Sequence, residues 1–111
     1  MEMRGKVVVA SPGGRLAGKP RPFVIVQNPQ FDFADTLVVV PLTTDEALDR
    51  TIRPLFHPDD GNGLESLSCA MTNRVGAIMK SDVHKVIGAL AEDDLNRLDA
   101  ALTSLLGLGH T

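Results

Sequence analysis

A chain of 111 residues has room for one domain. Its hydrophobic fraction of 43% is that of a globular protein, so disorder is not the default state. The formal charge of −3 argues against a protein that coats nucleic acid with a broad basic surface, and a single cysteine, Cys69, excludes an internal disulfide framework. No apolar run reaches the ~20 residues of a membrane span. The opening Met1-Glu2-Met3-Arg4-Gly5-Lys6 lacks the features of a signal peptide. Together these place the chain in a reducing cytoplasm. Charge acts over a Debye length of about 8 Å in physiological salt, so a local cationic cleft is compatible with the negative total. Residues 4–22 carry Arg4, Lys6, Arg15, Lys19 and Arg21 and no acid. Residues 91–99 carry Glu92, Asp93, Asp94 and Asp99 against Arg97.

Gly5 to Ala10 reads as a first strand. The Gly- and Pro-dense stretch 11–20 reads as a loop, and Arg21 to Asn28 as a second strand with Pro22 near its start. The apolar run Leu37–Leu42 predicts a third strand buried on both faces. Thr51 to Phe56 alternates and predicts a fourth. Asp59-Asp60-Gly61-Asn62-Gly63 is a turn. Ser68–Thr72 and Val75–Met79 read as one or two further strands, and Ser81–Val86 as a short helical turn capped by Ser81. Leu95, Leu98, Leu102, Leu105 and Leu106 lie on one face of a closing helix, with acids in its first turn and Gly107 at its stop. Short strands followed by one helix predict a single domain over residues 1–111, mainly β with a C-terminal helix (α+β), folded as a small barrel or curled sheet.

Metal chemistry is not expected. His57, His84 and His110 lack ligand spacing, the sequence holds no second cysteine beside Cys69, and Asp59-Asp60 reads as a solvated turn. No phosphate-binding Gly-rich loop is present. A nucleophile pair of Cys69 with His57 or His84 is weaker than the reading of Cys69 as a buried, inert thiol. Two features remain. In Lys19-Pro20-Arg21-Pro22 the prolines hold an arginine on extended backbone, which suits paired, charge-assisted bonds to a phosphate. Pro41-Leu42-Thr43-Thr44 sets two hydroxyls where an apolar strand ends. Taken singly, each is better explained as an edge arginine or as strand-ending threonines.

Taken in series they match a family. Arg4-Gly5-x-Val7, Arg21-Pro22-x-Val24-x-Val26-Gln27-Asn28, Val39-Val40-Pro41-Leu42-Thr43, Gly63-Leu64 with Ser68, Ile87-Gly88-x-Leu90 and the leucine helix together resemble the MazF/PemK toxins over nearly the whole chain. The resemblance implies an SH3-like small β-barrel of the CcdB/PemK type and a homodimer. It implies an endoribonuclease that cuts single-stranded RNA without a cofactor or metal and is held inactive by a cognate antitoxin. Arg21 and Thr43 fall on the positions credited with catalysis. Arg15, Lys19, Gln27, Asn28, Thr44, Ser68 and Asn73 are the expected substrate contacts. Asn73 stands where some relatives carry an acid, and Arg15 where some carry a histidine, which leaves the general base unassigned. Base stacking, without Trp or Tyr, falls to Phe23, Phe31, Phe33 or Phe56. RNA supplies its own nucleophile, the 2′-hydroxyl, and an arginine aimed at the phosphoryl oxygens stabilises the charge that grows there. A CcdB-like gyrase poison, or an inactive relative that binds a partner peptide, are the competing readings.

Overall fold

The structure is a computed structural model that describes residues 3–14, 18–45 and 52–109. Seven strands, β1 (Lys6–Ala10), β2 (Arg21–Ile25), β3 (Thr36–Thr43), β4 (Leu55–Phe56), β5 (Ser68–Ala70), β6 (Gly76–Met79) and β7 (Val83–Ala89), precede one helix, α1 (Glu92–Leu106). The sheet order is β4-β5-β3-β2-β1-β7, with β6 also paired to β3, and every pairing is antiparallel. The long apolar run makes β3 the hub. Its first half pairs with β6, its last two residues with β5, and its other edge with β2.

Alternation along these strands builds two cores. Val7, Val24, Val40, Leu42, Phe56 and Ala70 project to one face, where Leu98 of α1 covers them and Leu95 and Leu102 pack alongside. Val8, Ala10, Phe23, Ile25, Leu37, Val39 and Ile78 form the second cluster on the opposite face. The period-2 geometry of a strand sends Val39 and Val40 to different cores, so β3 is buried on both faces at that point. Val38 departs from the expectation of burial throughout, because its side chain points out of the sheet and is 38% exposed.

The helix ends as its sequence directs. Glu92, Asp93 and Asp94 occupy the first turn, and Gly107 takes the left-handed conformation (φ 70°) at the C-cap. The acidic segment also meets the basic one. Arg4 makes a two-pronged ion pair with Asp99 (2.6 and 3.1 Å) and donates from Nε to the Val26 carbonyl, tying α1 to the sheet. Among the described residues no helix is long and apolar enough to cross a membrane.

Three expected elements change. Strand β2 ends at Ile25, not Asn28, because the Asn28 side chain accepts from Gln30 N and starts a 3-10 turn at Pro29. The fourth strand shrinks to Leu55–Phe56, with Thr51 outside the described residues. Ser81 is not an N-cap. Residues 80–82 form a 3-10 turn, and Val83–Ala89, with its β-branched Val83, Val86 and Ile87, is a strand paired with β1.

The turn at 59–63 locks β7 to the rest. Asn62 is fully buried, accepts from Asp59 N and Leu64 N, and donates to the His57 carbonyl. Gly88 lies against it so closely that a Cβ there would fall 2.4 Å from Gly61 O and 2.5 Å from Asn62 C. Only glycine admits that contact.

Candidate active site

The β2–β3 register pairs Phe23 with Pro41 and Ile25 with Val39. Continued towards the start of β2, that register sets Arg21 across from Thr43. Both side chains line a cleft of about 510 Å³, with Phe23, Pro41, Leu42, Asp45, Arg53, Met71 and Arg74. Arg21 is exposed, and its guanidinium makes no hydrogen bond or ion pair with a described residue. Thr43 is half-buried, and its Oγ1 accepts from Asp45 N at 3.1 Å, which leaves the hydroxyl hydrogen available to a ligand. The strand-ending role of Thr43 and a binding role are therefore compatible.

Three arginines converge here on strands and turns far apart in the chain: Arg21, Arg53 and Arg74. Like charges gathered without an equal number of carboxylates make a cleft that attracts anions, despite a net charge of −3. A guanidinium stays protonated at any physiological pH and offers up to five donors, so the arrangement suits a phosphodiester. Asp45 is the one carboxylate among the lining residues. Arg53, Arg74 and Asp45 carried no sequence motif of their own. Only their convergence on Arg21 marks them.

The other expected contacts are distributed elsewhere. Thr44 and Ser68 line a different groove of about 340 Å³, with Pro20, Pro22 and Lys85; Pro22 turns there, away from Arg21, because successive residues of β2 alternate faces. The Ser68 hydroxyl donates to the Ser66 carbonyl (2.9 Å). Gln27 and Asn28 sit past the far end of β2, about 20 Å from Arg21 at the usual strand rise. Their side chains have structural partners: Gln27 Oε1 accepts from Val38 N, Gln27 Nε2 donates to Phe31 O, and Asn28 caps the 3-10 turn. They do not face the cleft. Asn73 Oδ1 accepts from Arg53 Nε (2.9 Å). Lys19 is exposed in the loop before β2. Arg15 lies outside the described residues.

Phe31 and Phe33 are 53% and 83% exposed, so neither anchors its loop on the core. Phe23 and Phe56 are core residues. Among the described residues no three His, Cys, Asp or Glu side chains gather as metal ligands would. Cys69 is buried beside the Arg53 carbonyl. His84 Nε2 lies 2.8 Å from Ser11 Oγ, on a face lined by the start of β7 and by the turns after β1 and before β7.

Residues 3–106 match the family model of PemK-like, MazF-like toxins of type II toxin–antitoxin systems. A protein of Mycolicibacterium smegmatis described as a probable endoribonuclease MazF is 35% identical over 105 residues, covering 95% of this chain and 96% of that one. Among solved structures, an endoribonuclease in complex with its cognate antitoxin from a mycobacterial species superposes with a TM-score of 0.80 at 21% identity, covering the whole of both chains. A MazE–MazF complex from Deinococcus radiodurans superposes with a TM-score of 0.75 at 15% identity, covering 97% of each chain. These two likenesses carry the fold: a curled antiparallel sheet with one C-terminal helix.

Proposed function

The chain belongs to the PemK-like, MazF-like toxin family of type II toxin–antitoxin systems, and on that premise we propose that it is the toxin of such a module, an endoribonuclease that cuts single-stranded RNA at the Arg21–Thr43 cleft. The observation that carries this reading is the pairing of an unengaged Arg21 guanidinium with the Thr43 hydroxyl at the mouth of a cleft that holds two further arginines.

The chemistry follows from the groups present. The RNA 2′-oxygen bonds to the adjacent phosphorus, and the bond from phosphorus to the 5′-oxygen breaks. The products are a 2′,3′-cyclic phosphate and a 5′-hydroxyl. Negative charge on the phosphoryl oxygens rises between ground state and transition state, and Arg21 answers that rise. Thr43 holds a phosphoryl oxygen through its hydroxyl. Neither residue is suited to take the 2′-hydroxyl proton. Asp45, the carboxylate of the cleft, is the acceptor we assign, and the departing 5′-oxygen takes a proton from water. No step in this scheme draws on a metal.

By the same reading the protein acts in the cytoplasm as a single toxin domain, is neutralised by a cognate antitoxin and forms a homodimer. Val38 and Met79 stand on one face of the β3–β6 ladder, 38% and 44% exposed. The Lys80–Asp32 ion pair (2.5 Å) brings the loop of Phe31 and Phe33 to the end of β6. This apolar group is the surface we assign to the second copy. The family model and the mycobacterial relative both favour a ribonuclease over a gyrase poison.

The test is cleavage of a long defined single-stranded RNA in EDTA, with products mapped at their ends. Cyclic-phosphate ends and a loss of at least about a hundredfold in Arg21→Ala are expected, the usual worth of one charge-stabilising donor. A folded Arg21→Ala protein that cuts at the native rate would remove the assignment, and loss of cutting in EDTA would remove the metal-free scheme.

A further inference from the structure

Arg53 is 6% exposed, yet it lines the cleft. Its Nε donates to Asn73 Oδ1, and no carboxylate of a described residue pairs with it. That is unusual. Buried charges in proteins are normally paired, because removing an ion from water is costly without a counter-charge. No buried side-chain nitrogen or oxygen among the described residues lacks a partner. The two terminal nitrogens of Arg53 have no partner among the described residues, so they reach the solvent of the cleft.

The segment under Arg53 is fastened from two consecutive elements, β5 and the 3-10 turn after it. The 3-10 turn Thr72–Arg74 grips the segment with two side chains: Thr72 Oγ1 donates to the Ile52 carbonyl, and Asn73 Oδ1 takes the Arg53 Nε–H. Cys69 Sγ contacts the Arg53 carbonyl at 3.6 Å, and Ala70 N donates to the Pro54 carbonyl at 3.0 Å. A guanidinium held at Nε, with its outer fork free and aimed into an anion-attracting cleft, is pre-organised for two parallel bonds to one phosphate. Exposed Arg21 and Arg74 must still be ordered when a ligand arrives, whereas Arg53 is already ordered.

We propose that Arg53 is a fixed phosphate-binding residue of this cleft, facing an RNA phosphodiester with both terminal nitrogens, and that Asn73 is its positioning residue. This rests on the cleft being the RNA site. It also reassigns Asn73, whose carbonyl oxygen is engaged by Arg53 and whose service to the substrate is indirect.

The experiment measures binding of a non-cleavable single-stranded RNA, 2′-O-methylated throughout, as a function of salt, beside cleavage of the unmodified strand. Arg53→Met is expected to weaken binding about tenfold and to lower the slope of log affinity against log salt by about 0.7, the contribution of one phosphate contact on a single strand. Arg53→Lys is expected to keep the slope and lose most of the affinity, since it keeps the charge and lacks the fork. Asn73→Ala keeps the charge and is expected to weaken binding several-fold with the slope unchanged. A folded Arg53→Met protein with native affinity and slope overturns the proposal. Should Arg53→Met fail to fold, native binding by Asn73→Ala and Arg53→Lys together overturns it. If the native protein binds RNA through Arg53 but cuts none, the catalytic reading falls and the phosphate site stands. If it cuts RNA and Arg53→Met is native in every respect, only the phosphate site falls.

Discussion

Replacing Asn62 by alanine removes a side chain that no solvent reaches and that makes three bonds to backbone: from Asp59 N (3.2 Å), from Leu64 N (3.0 Å) and to the His57 carbonyl (2.9 Å). Each such bond contributes about 1 kcal/mol net, and a buried group left without a partner costs at least that much. The sum is about 3 kcal/mol. For a chain of this length about 1 kcal/mol moves the melting temperature by roughly 4 °C, so the midpoint should fall by about 12 °C. A total stability on the order of 5–15 kcal/mol keeps the variant folded at room temperature. Asn62→Asp keeps the acceptor and loses the donor, and sets a carboxylate against the His57 carbonyl. It should be no more stable than Asn62→Ala. Thermal unfolding followed by circular dichroism reads both. RNA cleavage at 25 °C should stay within about twofold of native, because Asn62 does not line the cleft. A midpoint within about 3 °C of native for Asn62→Ala would show that the turn does not hold β7 in place as described.

Thr43→Val keeps the shape of the threonine and removes its hydroxyl. RNA cleavage should drop about tenfold or more, with Thr43→Ser restoring most of it. Asp45→Asn should lower the cleavage rate about a hundredfold with little change in RNA affinity, if the carboxylate accepts the 2′-hydroxyl proton; single-turnover kinetics separate the two quantities. Val38→Glu places a charge in the apolar group of the β3–β6 face and should shift the protein from dimer to monomer in light scattering at micromolar concentration. A native protein that is already monomeric there refutes the dimer.

Much of the fold is local in origin and was legible residue by residue. The leucine period, the acids in the first turn and Gly107 specify α1 without help from the rest of the chain, because helix faces and caps are nearest-neighbour properties. The apolar run 37–42 marks a strand buried on both faces, and Asp59–Gly63 marks a turn. The strand β7 departs from the expected helical turn for the converse reason. Its polar His84 and Lys85 and its bulged pairing with β1 weaken the alternation, and only the partner strand makes it extended. Gln27 and Asn28 share a motif with Arg21, but motif membership carries no direction in space. The chain turns after Ile25, and both side chains serve that turn.

The cleft shows the same division. Arg21 and Thr43 could be singled out from the order of motifs along the sequence, because the residues around them repeat a recognisable series. Their facing each other is a matter of strand register, set where Val24 meets Val40. Thr44, in the bend just past β3, opens onto a different groove from Thr43, a placement that the neighbouring identities Thr43-Thr44 do not reveal. Arg53 and Arg74 read in the sequence as ordinary cations. Tertiary structure alone buries one of them without a counter-charge among the described residues and brings both to Arg21, since charge acts through distance in space and not through separation along the chain. The sequence by itself determined the helix, the strands with clear patterns and the family, and it singled out Arg21 and Thr43 as candidates. The folded chain decided which other side chains share their cleft.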